Sequence, residues 1–330
     1  MLQLNFYSIR SKVSILIPLY NSEQYIKETI ISALNQTWQN KEIIVIDDGS
    51  GDRSLEIAKK FESSTTKIIS KSNSGASSSR NYAFGISSGD YIQYLDSDDL
   101  MAPDKIEKQV FQLEREPEGA IASGPFFSFK GEIRDVMPIL KDNGLKDYER
   151  PIDWLVEASL DRAMFPPLVW LTPRKTIEEA GKWNESLSYN DDSEFFTRVL
   201  LRSSKIVYCD EAISYYRRGN PNSLGSQKSY AALKSGINSL NLVTQHMLEF
   251  ENSERVRKAC AYQYSKNYYS LYPEHRTLRN EFESKMYELD KDIKFDFGSG
   301  LTSRAGKLFG WKTAKWLRYY LLKAKNTITN

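Results

Sequence analysis

Tyr91-Ile92-Gln93-Tyr94-Leu95 runs directly into Asp96-Ser97-Asp98-Asp99, and the junction of the two decides how the chain folds. The first five residues read as a buried strand. The aspartates that follow then sit at the mouth of a sheet, where open α/β folds place their ligands. Packed carboxylates repel one another, and their natural partner is a hard divalent cation with a preference for oxygen. Mg²⁺ or Mn²⁺ held by one or two carboxylates usually completes its shell with substrate phosphates. The plain alternative is a turn of solvated acids. A second acidic strand end upstream, Asp47-Asp48, weighs against it.

The surrounding pattern repeats this strand-then-turn unit. Val13 to Ile17 is a β-branched run closed by Pro18, and Glu42 to Ile46 runs into Asp47-Asp48-Gly49-Ser50. Lys67 to Ser70 makes a third strand. Helices are expected between them: one capped by Asn21 or Ser22, one capped by Asp52, one over Ser77 to Ile86, and one opened by Pro103. Strands alternating with helices at this spacing predict an α/β fold with a mainly parallel sheet. Beyond Pro117 the alternation weakens, and from about Ser226 the pattern is helical to the end. The expected division is a catalytic domain over 1–225 and a helical region over 226–330.

The 330 residues are 40% hydrophobic and 27% charged, ordinary values for a folded protein with a sizeable core. A net charge of +2 gives no global argument for a nucleic-acid partner. Cys209 and Cys260 match no metal-ligand spacing and read as reduced thiols of a cytoplasmic protein. Met1 to Lys12 lacks the apolar stretch of a signal peptide, and no apolar run approaches the ~20 residues of a spanning helix.

Taken in order, the strand ends resemble the family-2 inverting glycosyltransferases of GT-A fold. The resemblance rests on Val13 through Asn21, Ala33-Leu34-Asn35-Gln36-Thr37, Ile46 through Ser50, Asn73-Ser74-Gly75 through Arg80-Asn81, Gly89 through Ile92, and Asp96 through Asp99 with Pro103 behind. It is dense over 13–105, the nucleotide-sugar half, and thinner over the acceptor and base region, 118–225. It implies that Pro18, Tyr20, Asn21 and Asp48 line a nucleotide pocket, Tyr20 stacking on a base and Asp48 accepting a ring N–H. Asp47 and Asp48 also suit a strand-to-helix turn. The N-terminus of the helix after Gly75 offers free N–H groups to a diphosphate, and Arg80 adds a charge there or forms a structural ion pair. Asp96 is assigned to the ribose or a metal-bound water, Asp98 to the Mn²⁺ or Mg²⁺, and Asp99 to structure.

An inverting transfer needs a base to take the acceptor's proton. Gly181 through Leu187 and Tyr189 through Phe196 resemble the family's base segment. The usual pair there is Glu-Asp; here it is Asp191-Asp192, which makes Asp192 the base and Asp191 its neighbour, open by one residue. Glu194 either orients an acceptor or pairs with Arg198. Tyr215 through Leu224 resembles the loop that closes over the donor. The histidine that many relatives carry there is absent, leaving Arg217 or Arg218 to neutralise the diphosphate.

The implied function is transfer from a nucleotide sugar, with UDP expected, to a glycan or lipid-linked acceptor in cell-surface polysaccharide synthesis. A sugar-phosphate nucleotidyltransferase and a catalytically silent binding protein are the alternatives. From Phe297 to Asn330 there are seven Lys or Arg and no Asp or Glu. Over 305–325, Phe309, Thr313, Trp316, Leu317, Tyr320, Leu321 and Ala324 make one apolar helical face and Lys307, Lys312, Lys315, Arg318 and Lys323 fall elsewhere. That pattern suits an anionic membrane surface, the alternative being a helix docked on its own domain.

Overall fold

The computed structural model describes residues 11–131, 133, 137–138, 144–161, 166–220, 229–293 and 310–328. Their order follows the expected alternation: β1 (Val13–Leu19), α1 (Ile26–Leu34), β2 (Lys41–Asp47), α2 (Ser54–Lys59), β3 (Thr66–Ser70), α3 (Ala76–Ile86) and β4 (Tyr91–Tyr94). β5 (Leu100–Met101), α4 (Lys105–Leu113), β6 (Ile121–Ser123), β7 (Phe126–Phe129), β8 (Met137–Pro138) and α5 (Pro151–Asp161) come next. β9 (Leu171–Pro173), α6 (Arg174–Ala180), α7 (Asp191–Arg202), β10 (Ile206–Tyr208) and β11 (Ser214–Arg217) complete the α/β part. Among the described residues the remaining elements are α8 (Tyr230–Phe250), α9 (Glu254–Leu271), α10 (Arg276–Leu289) and α11 (Trp311–Ile328).

The main sheet has seven strands in the order β10-β6-β9-β4-β1-β2-β3. β1 pairs in parallel with both β2 and β4, and β2 with β3. The β-branched strands carry the core: Ile15, Leu16, Ile17, Ile44, Val45, Ile46 and Ile92 are fully buried, and Ile26, Ile30 and Ala33 of α1 pack inward. One departure from an all-parallel sheet is β9, which runs antiparallel between β4 and β6. Of the segment expected to be extended from Phe165 to Thr172, only Leu171 and Thr172 lie in this strand; Pro167–Val169 forms a 3-10 turn, and Phe165 lies outside the described residues. A smaller sheet, β5-β11-β7-β8, brings β11 beside the acidic turn after β4. Neither Asn21 nor Ser22 caps α1 by its side chain. The helix starts later, at Ile26, after a turn in which Ser22 O accepts from Tyr25 N and Ile26 N.

Residues Met1–Met247 form one compact unit and Leu248–Asn330 a second, so the division comes later in the chain than the expected 225. In the second unit α9 and α10 bury Ala259, Cys260, Tyr264, Tyr268, Leu278, Phe282 and Met286. Cys209 and Cys260 are both buried and free. No described helix is long and apolar enough to cross a membrane.

Polar groups also fasten the sheet. Glu42 on β2 is 5% exposed and accepts from Ser14 Oγ at 2.7 Å and Ser88 N at 2.7 Å, with Lys12 Nζ at 3.1 Å. Burial opposes its charge, but these donors override it and hold the carboxyl at about 2. A depressed carboxylate contributes stability above its unfolded pKa and loses it as pH falls through the folded one. Glu42→Gln should therefore lower unfolding free energy by about 2–3 kcal/mol at pH 7, and much less near pH 3. Urea unfolding of both proteins at the two pH values checks it; an equal difference at both would show that charge is not the cause.

Candidate active site

β1, β2, β3 and β4 each deliver a loop to the same edge, and those loops line a cleft of about 760 Å³. Pro18 and Tyr20 follow β1, Asp48 follows β2, Asn73 and Gly75 follow β3, and Asp96, Ser97 and Asp98 follow β4. Tyr189 to Asp192 at the start of α7 and Tyr216 to Asn220 at the end of β11 complete the lining. Most residues expected to touch a donor thus meet in one place, although they lie far apart in the chain. Asn21 does not line the cleft: at φ 45° it turns its Oδ1 to accept from Gly51 N at 2.8 Å, which shapes the neighbouring turn.

At the nucleotide end Tyr20 is 51% exposed, an aromatic face without a cover. Asp48 is buried and already engaged. Its Oδ1 accepts from Ser74 N at 3.0 Å and from Lys71 Nζ, and its Oδ2 from Gly75 N at 2.8 Å. Asn73 Nδ2 donates to its carbonyl at 2.9 Å. The acid that was expected to read a base therefore also ties down the loop before α3. Gly75 has φ 95°, a region open to glycine, and this lets its N–H point back at Asp48.

Arg80 is the centre of the site. It is 5% exposed, with Nη1 2.9 Å from Asp191 Oδ2 and Nη2 2.8 Å from Asp96 Oδ1. Its guanidinium lies 4.4 Å over the Trp183 ring, which stacks on Phe195 at 4.0 Å. Burial disfavours the charge, but Asp96 and Asp191 outweigh it and hold the group firmly protonated. One cation thus bridges the acidic turn after β4 and the carboxylate pair at the start of α7. A truncated partner here would leave a buried charge uncompensated, which is strongly destabilising.

Asp191 and Asp192 differ in surroundings. Asp191 is 8% exposed, and its Oδ2 also accepts from Ser77 Oγ at 2.7 Å, so it is held inside the fold. Asp192 is half-buried at the cleft, with only Ser193 N donating to its Oδ1, at 2.8 Å. Burial raises its carboxyl, the charge on Asp191 adds to this and Arg80 opposes, leaving it at about 6. A carboxylate so tuned is a better proton acceptor near neutral pH than an ordinary aspartate.

Glu194 is not among the residues lining the cleft. It is 2% exposed and pairs with Arg198 at 2.6 Å and with His246 Nε2 at 3.2 Å. Arg198 in turn donates to the carbonyls of Ala180, Gly181 and Lys182, so this pair fixes the loop before the base. From α8, Ser235 Oγ accepts from Ser188 N at 2.9 Å and Tyr189 N at 3.1 Å. Ser239 Oγ donates to Asn190 O at 2.6 Å. These residues were not anticipated; two serines four apart in a helix carry no signal of what they will hold.

The acidic turn divides by partner. Asp98 Oδ2 accepts from Asn220 Nδ2 at 2.7 Å. Burial pushes the Asp98 carboxyl up, Asn220 opposes, and the charge on Asp96 adds to the rise. Asp99 is structural, though not a cap: its Oδ1 accepts from Arg217 N at 2.8 Å and binds β11. Its Oδ2 has no hydrogen-bond partner among the described residues, and burial with the nearby Asp98 and Asp96 charges raises it far above the usual range. Tyr216, within the segment expected to close over the donor, lines the cleft; burial and four surrounding carboxylates keep its phenol protonated.

The two arginines part company. Arg217 is 7% exposed and spends its donors on Asp98 O, Gly131 O and Glu28 Oε2, at 2.8, 2.9 and 2.7 Å. Arg218 lines the cleft and is exposed, and its guanidinium has no partner among the described residues. It is the arginine left for a diphosphate. The loop residues Pro221, Asn222, Ser223 and Leu224 lie outside the described residues.

Among the described residues no three metal-binding side chains converge. Asp96 and Asp98 both line the cleft, and Mg²⁺ or Mn²⁺ that borrows substrate phosphates needs no more than one or two protein carboxylates. An aspartate whose acidity is weakened by burial and a like charge is one that a cation would restore, so the residues fit the ion.

A mainly parallel sheet with two acidic strand ends and a cleft-lining carboxylate pair defines a GT-A type transferase. The model of glycosyl transferase family 2 matches residues 14–165. An uncharacterized glycosyltransferase of Haemophilus influenzae is 44% identical over 226 residues, covering 67% of this chain and 84% of that protein. The glycosyltransferase EpsJ of Bacillus subtilis is 30% identical over 215 residues, 64% of this chain and 62% of EpsJ, so less than two thirds of that relative is spanned. Among solved structures, S. aureus TarS 1–349 in complex with UDP-GlcNAc superposes with a TM-score of 0.70 at 17% identity, covering 94% of this chain and 92% of that one. The chain belongs to glycosyl transferase family 2. The nucleotidyltransferase and silent-binder alternatives fall with that.

Proposed function

We propose that this transferase moves a sugar, with inversion, from a UDP-sugar to a hydroxyl of a glycan or lipid-linked acceptor in cell-surface polysaccharide synthesis. The observation that carries the reading is Asp192: a half-buried carboxylate raised to about 6, lining the same cleft as Asp98. Tyr20 stacks on the base, with Pro18 and Asp48 beside it. Arg218 closes on the diphosphate from the loop after β11. Asp96 and Asp98 would hold Mn²⁺ or Mg²⁺, which when bound supplies positive charge to the leaving diphosphate. Asp192 takes the proton of the acceptor hydroxyl as its oxygen bonds to the anomeric carbon. The bond from that carbon to the diphosphate oxygen breaks on the far face, and its electron pair leaves with UDP. Asp191, locked by Arg80 and Ser77, keeps the base at its station. The solved TarS complexes with UDP-GlcNAc and with UDP support the choice of donor class. A position at the inner, cytoplasmic face of the cell membrane, held peripherally, would bring the enzyme to lipid-linked acceptors.

The reading is tested by incubating the full chain with a panel of UDP-sugars and Mn²⁺ and following UDP release. At least one sugar should be hydrolysed slowly without acceptor, and none of the GDP-sugars at a comparable rate. Arg218→Ala should raise the donor KM by about tenfold with an unchanged melting temperature, since an exposed arginine on a phosphate is worth a charge-assisted hydrogen bond. Arg217→Ala should instead destabilise the fold. Release from no UDP-sugar, or a donor KM unmoved in Arg218→Ala, would count against the assignment.

A further inference from the structure

The last helix has two opposite faces, and only one of them is used. Trp311, Ala314, Lys315 and Tyr319 of α11 turn toward α9 and α10. The Trp311 ring lies 5.7, 5.5 and 5.3 Å from those of Tyr268, Tyr269 and Tyr272. Ala314 is 7% exposed, Lys315 Nζ sits 3.8 Å over Tyr269, and Tyr319 Oη donates to Glu274. The helix is therefore docked, as one sequence expectation held, but by a face other than the apolar one. Trp316, Leu317, Tyr320 and Leu321 recur at one helical spacing on the other side and are 46, 49, 48 and 71% exposed. Trp316 and Tyr320 touch at 4.6 Å, so the patch is continuous. Phe309, also expected on this face, lies outside the described residues.

Charge selects what covers the patch. At 3.6 residues per turn, Lys312 and Lys323 border it on the Trp316 side, while Arg318 lies farther round, past Ala314 on the docked side. From residue 297 to the end the chain carries seven basic and no acidic residues. Lys312 has Glu283 at 3.9 Å, which tempers the basic edge without reversing it. A second copy seated face to face would bring these basic edges together, and like charges opposed that way are costly. A flat anionic surface meets both the apolar ridge and its basic border. Trp and Tyr suit the boundary between headgroup and acyl chain, and the helix is too polar to span.

We propose that α11 is a bilayer-docking element whose Trp316–Leu317–Tyr320–Leu321 ridge inserts shallowly into an anionic lipid surface, with Lys312 and Lys323 toward the headgroups. The inference rests on the peripheral location proposed above and is independent of the sugar chemistry. The full chain should co-sediment with vesicles of phosphatidylglycerol and phosphatidylcholine and stay in solution with phosphatidylcholine alone. Leu321→Glu, at a position too exposed to disturb folding, should weaken binding at least tenfold, roughly the worth of one buried leucine. Lys323→Ala should weaken it about fivefold, as expected for a single charge near such a surface. Raising salt from ~0.1 to ~1 M, which shortens the Debye length from about 10 to about 3 Å, should release most of the protein. UDP release from a donor in solution should be the same for Leu321→Glu and the wild type, so failure of the docking face and failure of the proposed reaction read out separately. The proposal is overturned if the wild type ignores the anionic vesicles, binds neutral ones equally well, or binds as well when Leu321 is glutamate. It is also overturned if the wild type forms a dimer that Leu321→Glu dissolves and no vesicle binding is seen, because a second copy then covers the ridge.

Discussion

Asp192→Asn should lower sugar transfer by about 10²–10⁴-fold while leaving UDP affinity nearly unchanged, because the residue acts on the acceptor's proton and not on the donor. The wild type should show the matching acid limb. A general base works deprotonated, so the rate should fall about tenfold per pH unit below about 6, where the Asp192 carboxyl takes up its proton. An unperturbed aspartate would place that limb near 4. Stability separates this loss from misfolding. A carboxyl raised in the folded state favours folding most below its unfolded pKa and loses that contribution as pH rises through the folded value. At pH 7 the ionised Asp192 is therefore a cost, and the asparagine variant should melt no lower than the wild type. Asp191→Asn is the contrast: it removes the partner of Arg80 and Ser77 and should melt earlier. Calorimetric UDP binding, initial rates across pH and thermal melts cover all three readings. Near-normal turnover of Asp192→Asn would move the base elsewhere.

Asp98→Asn should remove at least ~10²-fold of transfer, the scale seen when one preorganised stabiliser of developing negative charge is lost. The variant should also lose the part of UDP affinity that depends on added Mn²⁺ or Mg²⁺, a readout that needs no turnover. The fold should survive, since burial and the charge on Asp96 already push this carboxyl up and a neutral amide relieves that strain. Excess chelator should inhibit the wild type to a similar depth. Full activity in chelator, or Mn²⁺-dependent UDP binding intact in the variant, would end the metal assignment for Asp98.

Several features of this site were legible in the chain because their causes are local. β1 and β2 announce themselves as short β-branched runs and β4 as an apolar aromatic one before clustered aspartates, although β1 continues through Pro18 to Leu19 instead of ending at the proline. Parallel pairing of those strands puts the turns that follow them on one edge, so the meeting of Tyr20, Asp48 and Asp98 in one cleft followed from the order of elements. The Asp191-Asp192 pair was visible as a helix start. Antiparallel β9 was not legible, because a three-residue extended segment can pair in either direction and only the gap between β4 and β6 selects one.

The choice between adjacent, chemically equal residues belonged to the tertiary structure. Arg217 and Arg218 are indistinguishable in a sequence, yet the fold buries Arg217 against carbonyls and Glu28 and leaves Arg218 exposed at the cleft. Asp191 and Asp192 are equally alike until Arg80, 111 residues upstream, takes one and leaves the other to titrate. The same holds for α11, whose amphipathic pattern showed an apolar face without saying whether its own domain would cover it. Periodicity and punctuation act over a few residues and so can be read from the chain. Which side chain is buried, paired or left facing a ligand depends on long-range contacts, and those exist only once the sheet has brought distant segments together.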